Sequence, residues 1–387
     1  MTAIWLWLLC LGGVVYAGFL FRALAGIWKL DKSRMLAIPF GSTKPLSVSI
    51  IIAARNEEDW IGATLDSLLQ QDISTGEHHF EIIVVDDRSS DRTAEIVQNY
   101  SDLHPQIRHF RQSFVPPGVS PKKAALALGV SVSSGRIIVT TDADCRHHPG
   151  WARALAKGIP SEGGMVIGQA RFMVRKHDPL WLRLQALDFA AQGVLSAGLA
   201  AAGTPFNCSG ASLAFSRDAY QKVQGWQGVL HFISGDDELL MQKFHAAGIP
   251  VVVAWGKESV VATRSPGSLG ELWHQRSRWG SKTLHYPAKQ KAVLTGVFLF
   301  YLALALAPFV MLSGFGWFPA IIGMAAKMLL DLSLLNASKP LFADEVSNFE
   351  FVLAELLHPP LIVILAISGA LGFFEWKGTT YKTKGRA

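Results

Sequence analysis

Between Ile4 and Ile27 the chain carries one charge, Arg22. A stretch of that length crosses the hydrocarbon core of a bilayer as a helix, so whatever follows folds from a membrane-tethered start. The segment lacks a basic leader and a small-residue cleavage site, and it reads as a retained anchor rather than a removed signal peptide. Lys29, Lys32 and Arg34 follow at once. The positive-inside rule then puts the next domain in the cytoplasm of a cell inner membrane.

Apolar segments return at the other end. Ala292–Ser313 is a clear span. Phe318–Leu335 carries Lys327 and Asp331, and Phe351–Phe374 carries Glu355, His358, Pro359 and Pro360. Three full crossings there would place the basic tail, with Lys377, Lys382, Lys384 and Arg386, outside. The tail prefers the cytoplasm, so one weak segment reads as re-entrant or interfacial. The expected organisation is an anchor at 1–30, a catalytic domain at 45–287, membrane or interfacial helices at 292–376 and a basic tail at 377–387. Half of the 387 residues are hydrophobic, too many for an ordinary soluble enzyme of this length. The net charge of +6 sits largely beside the apolar segments, which favours a membrane surface over nucleic acid; no nucleic-acid motif accompanies it. Cys10, Cys145 and Cys208 offer neither zinc spacing nor a disulfide framework and read as small buried residues.

The middle block alternates short apolar runs with helical stretches. Leu46–Ala53, Phe80–Val85 and Arg136–Thr141 read as strands; Asp59–Gln71, Asp91–Tyr100 and Lys122–Ser134 read as helices. This alternation predicts an α/β domain with a mostly parallel sheet. The apolar residues of the strands run continuously rather than alternating, as burial on both faces requires.

Acidic residues close those strands. Asp86 and Asp87 end the second, and Asn56 and Glu57 end the first. Ligands of open α/β sheets bind at such carboxyl ends, where a carboxylate accepts from a nucleobase N–H or ribose hydroxyl; turn and helix capping is the competing account of Asp87, Asp91 and Asn56. Asp142 and Asp144 end the third strand, a spacing that suits a hard divalent cation, Mg²⁺ or Mn²⁺, shared with substrate phosphates. Lys122 and Lys123 at a helix start suit a phosphate or are simply solvated. Asp236 and Asp237 precede a helix, where dipole complementarity explains acids and a general base is the functional alternative. Trp273–Trp279 lies in a basic stretch, Arg264–Lys291, that leads into a membrane helix. It reads as a basic amphipathic helix on anionic lipid, and Gln275, Arg278 and Trp279 add an acceptor and diphosphate role.

In this order, Ala54-Arg-Asn-Glu57, Val85–Asp91, Lys122 with Ala125-Leu126, Thr141-Asp-Ala-Asp144, Gly210–Phe215, Gly235-Asp-Asp237 and Gln275–Trp279 resemble the family 2 glycosyltransferases, as does the tail Glu375–Gly378. The resemblance implies a GT-A fold, a Rossmann-like mixed sheet with flanking helices, between N- and C-terminal transmembrane helices. It implies an inverting, metal-dependent transfer from a nucleotide-sugar to a membrane lipid or lipid-linked acceptor. Ala54, Asn56, Glu57, Asp87, Lys122 and Asp142 would then bind the donor, and Asp144 with Asp142 the metal. Asp237, beside Asp236, would be the base; Gln275, Arg278 and Trp279 would border acceptor and diphosphate. Arg88 stands where the family commonly has Gly, Asp236 where it has Glu and Ser212 where it has Asn. A processive polysaccharide synthase shares these motifs but usually needs more membrane helices; a nucleotide-sugar receptor would have lost Asp144 and Asp237.

Overall fold

The computed structural model describes residues 2–35, 46–74, 79–339, 341, 347–371, 373–376 and 379–382. Pro45, Lys377, Lys384 and Arg386 therefore lie outside the described residues. The chain forms two compact units. One, here the α/β unit, comprises 26–173 and 196–265; the other, the helical unit, comprises 1–25, 174–195 and 266–386.

The α/β unit is built on strands whose β-branched residues favour the pleated backbone. β1 (Ser47–Ala54), β2 (His79–Asp86), β3 (Ile107–Arg111), β4 (Ile137–Asp142), β5 (Cys145–Arg146), β6 (Met165–Ile167), β7 (Gln169–Phe172), β8 (Leu213–Ser216), β9 (Val251–Val253) and β10 (Val260–Thr263) form two sheets. The larger has the order β3-β2-β1-β4-β8-β6-β9, the smaller β5-β10-β7. Pairing from β3 through β4 is parallel; β8 is antiparallel to β4 and β6, which makes the sheet mixed. Helices α2 (Ile61–Leu69), α3 (Thr93–Leu103), α4 (Pro121–Val132), α5 (Trp151–Lys157), α7 (Arg217–Lys222) and α8 (Glu238–Ala246) flank it. Ile51, Ile138, Phe215, Leu240 and Phe244 are fully buried in the main core, with Leu126 nearly so. At Gly129 a Cβ would meet Ile51 Cγ2 at 2.4 Å, so α4 lies against β1 at a distance that only glycine permits.

Among the described residues, four helices are long and apolar enough to cross a membrane. They are α1 (Thr2–Met35), α10 (Ala288–Met311), α11 (Trp317–Ser338) and α12 (Asn348–Leu371); the boundary between the units falls within α1 and within α6 (Leu180–Ala201). Small residues bring α1 onto α10: a Cβ at Gly12 would meet the Phe300 backbone, and one at Gly296 would meet Val15 at 2.7 Å. Trp5 Nε1 donates to the Ala303 carbonyl (2.8 Å). The charges inside α11 and α12 satisfy one another. Lys327, fully buried, donates to Asp331 at 2.7 Å and to Glu355 at 2.5 Å, and Tyr16 donates to Asp331. Helix α9 (Leu269–Ser281) crosses α12 where Ser277 and Ser368 hydrogen-bond (2.6 Å) and Gly280 meets Gly369. A short hairpin of β11 (Phe373–Trp376) and β12 (Thr379–Lys382) follows.

The helices start and stop close to the sequence expectation: α2 begins at Ile61 rather than Asp59, and α4 at Pro121. The cysteines differ from it. Cys145 is buried, but Cys208 is half-buried and Cys10 is exposed on apolar α1, where no polar partner is needed.

Candidate active site

Strand register builds the site. Ala54 pairs with Asp86 and Ala53 with Asp142, so the carboxyl ends of β1, β2 and β4 finish level. Ala54 is buried, and its carbonyl accepts from Asp87 N–H (2.8 Å). Asn56 takes a left-handed backbone (φ 51°), a conformation asparagine tolerates better than most residues. Its Oδ1 accepts from Ser90 N–H (2.9 Å) and its own N–H donates to Ser89 Oγ (3.0 Å). Glu57 N–H donates to Thr93 Oγ1 (2.8 Å). Asn56 therefore ties the ends of two strands together and does not cap α2, whose N-cap is Trp60.

Asp87 is buried and accepts from Arg88 Nε and Gln112 Nε2, both at 2.9 Å. Arg88 is also left-handed (φ 55°). The turn thus keeps a shape that glycine would adopt without strain, and the guanidinium gains a partner in exchange. Asp86, wholly buried, accepts from Ser89 N–H (3.3 Å); its Oδ2 has no hydrogen-bond donor among the described residues, with Arg111 Nε at 3.7 Å.

Lys122 joins two acidic clusters. Its Nζ lies 2.7 Å from Asp142 and 3.0 Å from Asp236. Burial disfavours its charge, but Asp142 and then Asp236 outweigh that and raise its pKa well above the ordinary lysine value. Burial likewise raises the Asp236 carboxyl, yet Lys122 and Lys123 bring it down to about 2. Neither lysine is solvated as a surface residue would be: Lys123 is fully buried and donates to the carbonyls of Phe232 and Ser234. Asp237 caps α8. Its Oδ1 accepts from Glu238 N–H (2.7 Å) and its Oδ2 from Gly210 N–H (2.9 Å). A Cβ on Gly210 would lie 3.2 Å from Asp236 Oδ2, so this backbone closes on both carboxylates.

The Asp142–Asp144 turn is held from beneath. Asp144 Oδ1 accepts from Thr263 Oγ1 (3.2 Å). His147 Nε2 lies 2.7 Å from Thr141 Oγ1, and its Nδ1 lies 2.9 Å from Ser67 Oγ on α2. Thr64 Oγ1 donates to the Ala143 carbonyl (2.7 Å). Burial, then Arg146, lowers the His147 pKa to about 3, so the ring is neutral. Ser212 is fully buried and bridges Trp151 Nε1 and the Ser259 carbonyl, each at 2.9 Å. None of the residues of this underlayer, Thr64, Ser67 and His147, stood out in the sequence, because hydroxyl and imidazole groups without a repeated spacing give no signal.

Gln275, Arg278 and Trp279 lie on α9 in the helical unit. Trp279 stacks on Phe189 of α6 (centroids 5.5 Å apart), and the Arg276 guanidinium sits 4.9 Å from its ring centre. Gln275 Oε1 is buried without a hydrogen-bond partner among the described residues. Arg276 Nη2 contacts Asp188 Oδ2 (2.7 Å) and Gln185 Oε1 (3.1 Å). Burial raises the Asp188 carboxyl, but Arg276 and His358 hold it well below its usual range.

The profile of "Glycosyl transferase family 2" matches residues 49–224, and that of "Glycosyl transferase family group 2" matches residues 137–371, more than half the chain. The chain belongs to the family 2 glycosyltransferases. Among its relatives are a probable glycosyltransferase, YdaM, of Bacillus subtilis (27% identical; 66% of this chain, 61% of the relative) and the beta-monoglucosyldiacylglycerol synthase of Synechocystis (26%; 72% and 59%). The poly-beta-1,6-N-acetyl-D-glucosamine synthase of Staphylococcus epidermidis is 26% identical (64% and 57%). The chain spans about three fifths of the length of these relatives. A mannosyltransferase of Pyrobaculum calidifontis, solved with GDP-Man and Mn²⁺, shares the fold of this glycosyltransferase (TM-score 0.54, 19% identity, covering 94% of this chain and 99% of that one). The mixed sheet with parallel strands ending in carboxylates is thus a GT-A fold, and the long apolar helices accompany it at both ends.

Proposed function

We propose that this glycosyltransferase moves a sugar, with inversion, from a UDP- or GDP-sugar to a membrane lipid or lipid-linked acceptor. The observation that carries the reading is the level finish of β1, β2 and β4, which gathers Asn56, Glu57, Asp87, Asp142 and Asp144 at one edge of the sheet. Glu57 and Asp87 bind the nucleoside, and Lys122 places positive charge beside Asp142, where a diphosphate would depart. Among the described residues no three His, Cys, Asp or Glu groups cluster to hold a metal alone. Asp144 and Asp142 fit Mg²⁺ or Mn²⁺ in the manner of ions that complete their shell with substrate phosphates and water. Such an ion, when bound, neutralises charge on the leaving diphosphate.

Asp237 is the base. Asp236 is committed to Lys122 and too weakly basic to take a hydroxyl proton readily. Each Asp237 oxygen accepts one backbone N–H, which leaves lone pairs for an acceptor hydroxyl and fixes their direction. On α9, Gln275, Arg278 and Trp279 border the acceptor. The glucosyldiacylglycerol synthase and a dolichyl-phosphate beta-glucosyltransferase of Trichomonas vaginalis (39% identical over 114 residues) support a lipid acceptor. The apolar helices support a membrane location, and Lys29, Lys32 and Arg34 in the last turns of α1 support a cytoplasmic catalytic unit at the inner membrane.

The staphylococcal relative supports a second reading, a polysaccharide synthase. Both are tested by incubating membranes containing the protein with labelled UDP- and GDP-sugars, Mg²⁺ or Mn²⁺ and total lipid extract. Lipid transfer predicts label in a discrete lipid, lost on chelation and in Asp144→Ala. Label in a long lipid-free polymer would establish the synthase instead. No transfer from any donor would overturn both.

A further inference from the structure

Helix α6 presents Gln185, Asp188, Phe189 and Gln192 at positions i, i+3, i+4 and i+7, one continuous stripe of a helix. Each of these residues has a defined role within the helical unit. Gln185 and Asp188 both accept from Arg276 Nη2, Phe189 stacks on Trp279, and Gln192 Nε2 donates to Asp188 Oδ2 at 2.8 Å. From α12, His358 Nε2 lies 3.4 Å from the other Asp188 oxygen. Arg276 is almost fully buried, and its guanidinium also faces the Trp279 ring.

We infer that this stripe is a clamp that sets the Trp279 ring, with Asp188 as the positioning residue through Arg276 and Phe189 as the stacked aromatic partner. The indole is contacted by a planar cation and by an aromatic ring, two contacts that orient it as well as bury it. The cation is fixed by a carboxylate that three helices share. Removing the Asp188 charge leaves Arg276 buried without its counter-ion, and the guanidinium then shifts off the indole. Arg276→Lys keeps the charge for Asp188 but loses the flat face and the second acceptor at Gln185. A misplaced acceptor-side group costs rate without costing donor affinity. The inference rests on the reading that Trp279 borders the acceptor, and the test separates the two.

The full-length protein in lipid nanodiscs is labelled with 5-fluorotryptophan, and the ¹⁹F resonance of Trp279 is assigned with Trp279→Phe. Asp188→Asn, Phe189→Leu and Arg276→Lys are each expected to move that resonance. Each should lower kcat/KM for the acceptor by about tenfold or more while the donor KM stays within about twofold. The double variant Asp188→Asn/Arg276→Lys should be no worse than the poorer single one, because both break one contact chain. Phe189→Leu preserves apolar bulk and guards against loss of folding. An unmoved resonance in all three variants overturns the clamp. A resonance that moves with unchanged acceptor kinetics supports the clamp and overturns the acceptor role of Trp279.

Discussion

Ser67 fixes the tautomer of His147. Its hydroxyl donates to the Thr64 carbonyl (2.8 Å), so its oxygen accepts from His147 Nδ1–H, and His147 Nε2 in turn accepts from the Thr141 hydroxyl. Thr141 immediately precedes Asp142, so a neutral imidazole transmits the position of α2 to the carboxylates. His147→Phe retains the ring packing on Trp151 (centroids 4.3 Å) and deletes both hydrogen bonds. It should raise the Mg²⁺ or Mn²⁺ concentration needed for half-maximal transfer by roughly tenfold, as read from metal titrations of the purified protein. An unchanged metal requirement would reduce His147 to a packing residue. The position of the carboxylates at strand ends was legible because each pair follows an apolar run. Their underlayer was not, since its hydrogen bonds join Ser67 to His147 across 80 positions.

Glu81 plays at the level of elements the part that His147 plays for one turn. On β2 it accepts from Ser49 Oγ of β1 (2.6 Å), Arg108 Nη1 of β3 (2.6 Å) and Ser134 beyond α4 (N–H and Oγ, both 2.7 Å). Burial raises its pKa, but the Ser134 and Ser49 hydrogen bonds and then Arg108 bring it down to about 2. Because the folded value is depressed, its contribution is complete above the unfolded value near 4.5 and is lost as pH falls towards 2. The shift corresponds to about 3 kcal/mol. Glu81→Gln should therefore lower the thermal unfolding temperature at neutral pH and flatten the acid-side fall; an equally steep fall in the variant would assign acid lability to other groups. The parallel strands were readable from their unbroken apolar runs. Helix α6 was not anticipated: its polar stripe is answered by Arg276, 91 residues from Gln185, so no local pattern explains it. Strands of three or four residues such as β6 and β9 are likewise too short for a periodicity to emerge.

At the scale of the molecule, contacts within the helical unit give the relative directions of its long helices. α1 and α10 are antiparallel, since Trp5 meets Ala303 while Val15 meets Gly296. α1 runs parallel to α11, since Leu9 meets Gly323 and Tyr16 meets Asp331. We propose that these three pass the bilayer as alternate strokes. The end of α12 returns to α9, through Ser368 to Ser277 and Gly369 to Gly280, and α9 leads directly into α10. The hairpin after it also returns, because Glu375 N–H donates to His274 Nδ1 (3.2 Å). Three complete crossings between α9 and the hairpin would leave them on opposite sides, so we propose that α12, with Glu355, His358 and two prolines, does not complete a crossing although it is long enough to span. That proposal puts Lys289 and Lys291, in the first turn of α10, on the side of α9. In a background lacking Cys10, Cys145 and Cys208, Lys291→Cys and Thr380→Cys should react with a membrane-impermeant maleimide in inside-out vesicles and not in intact cells, and Ser313→Cys in intact cells only. Labelling of Thr380→Cys together with Ser313→Cys would mean that α12 crosses and that its contact with α9 is not the one made in the membrane.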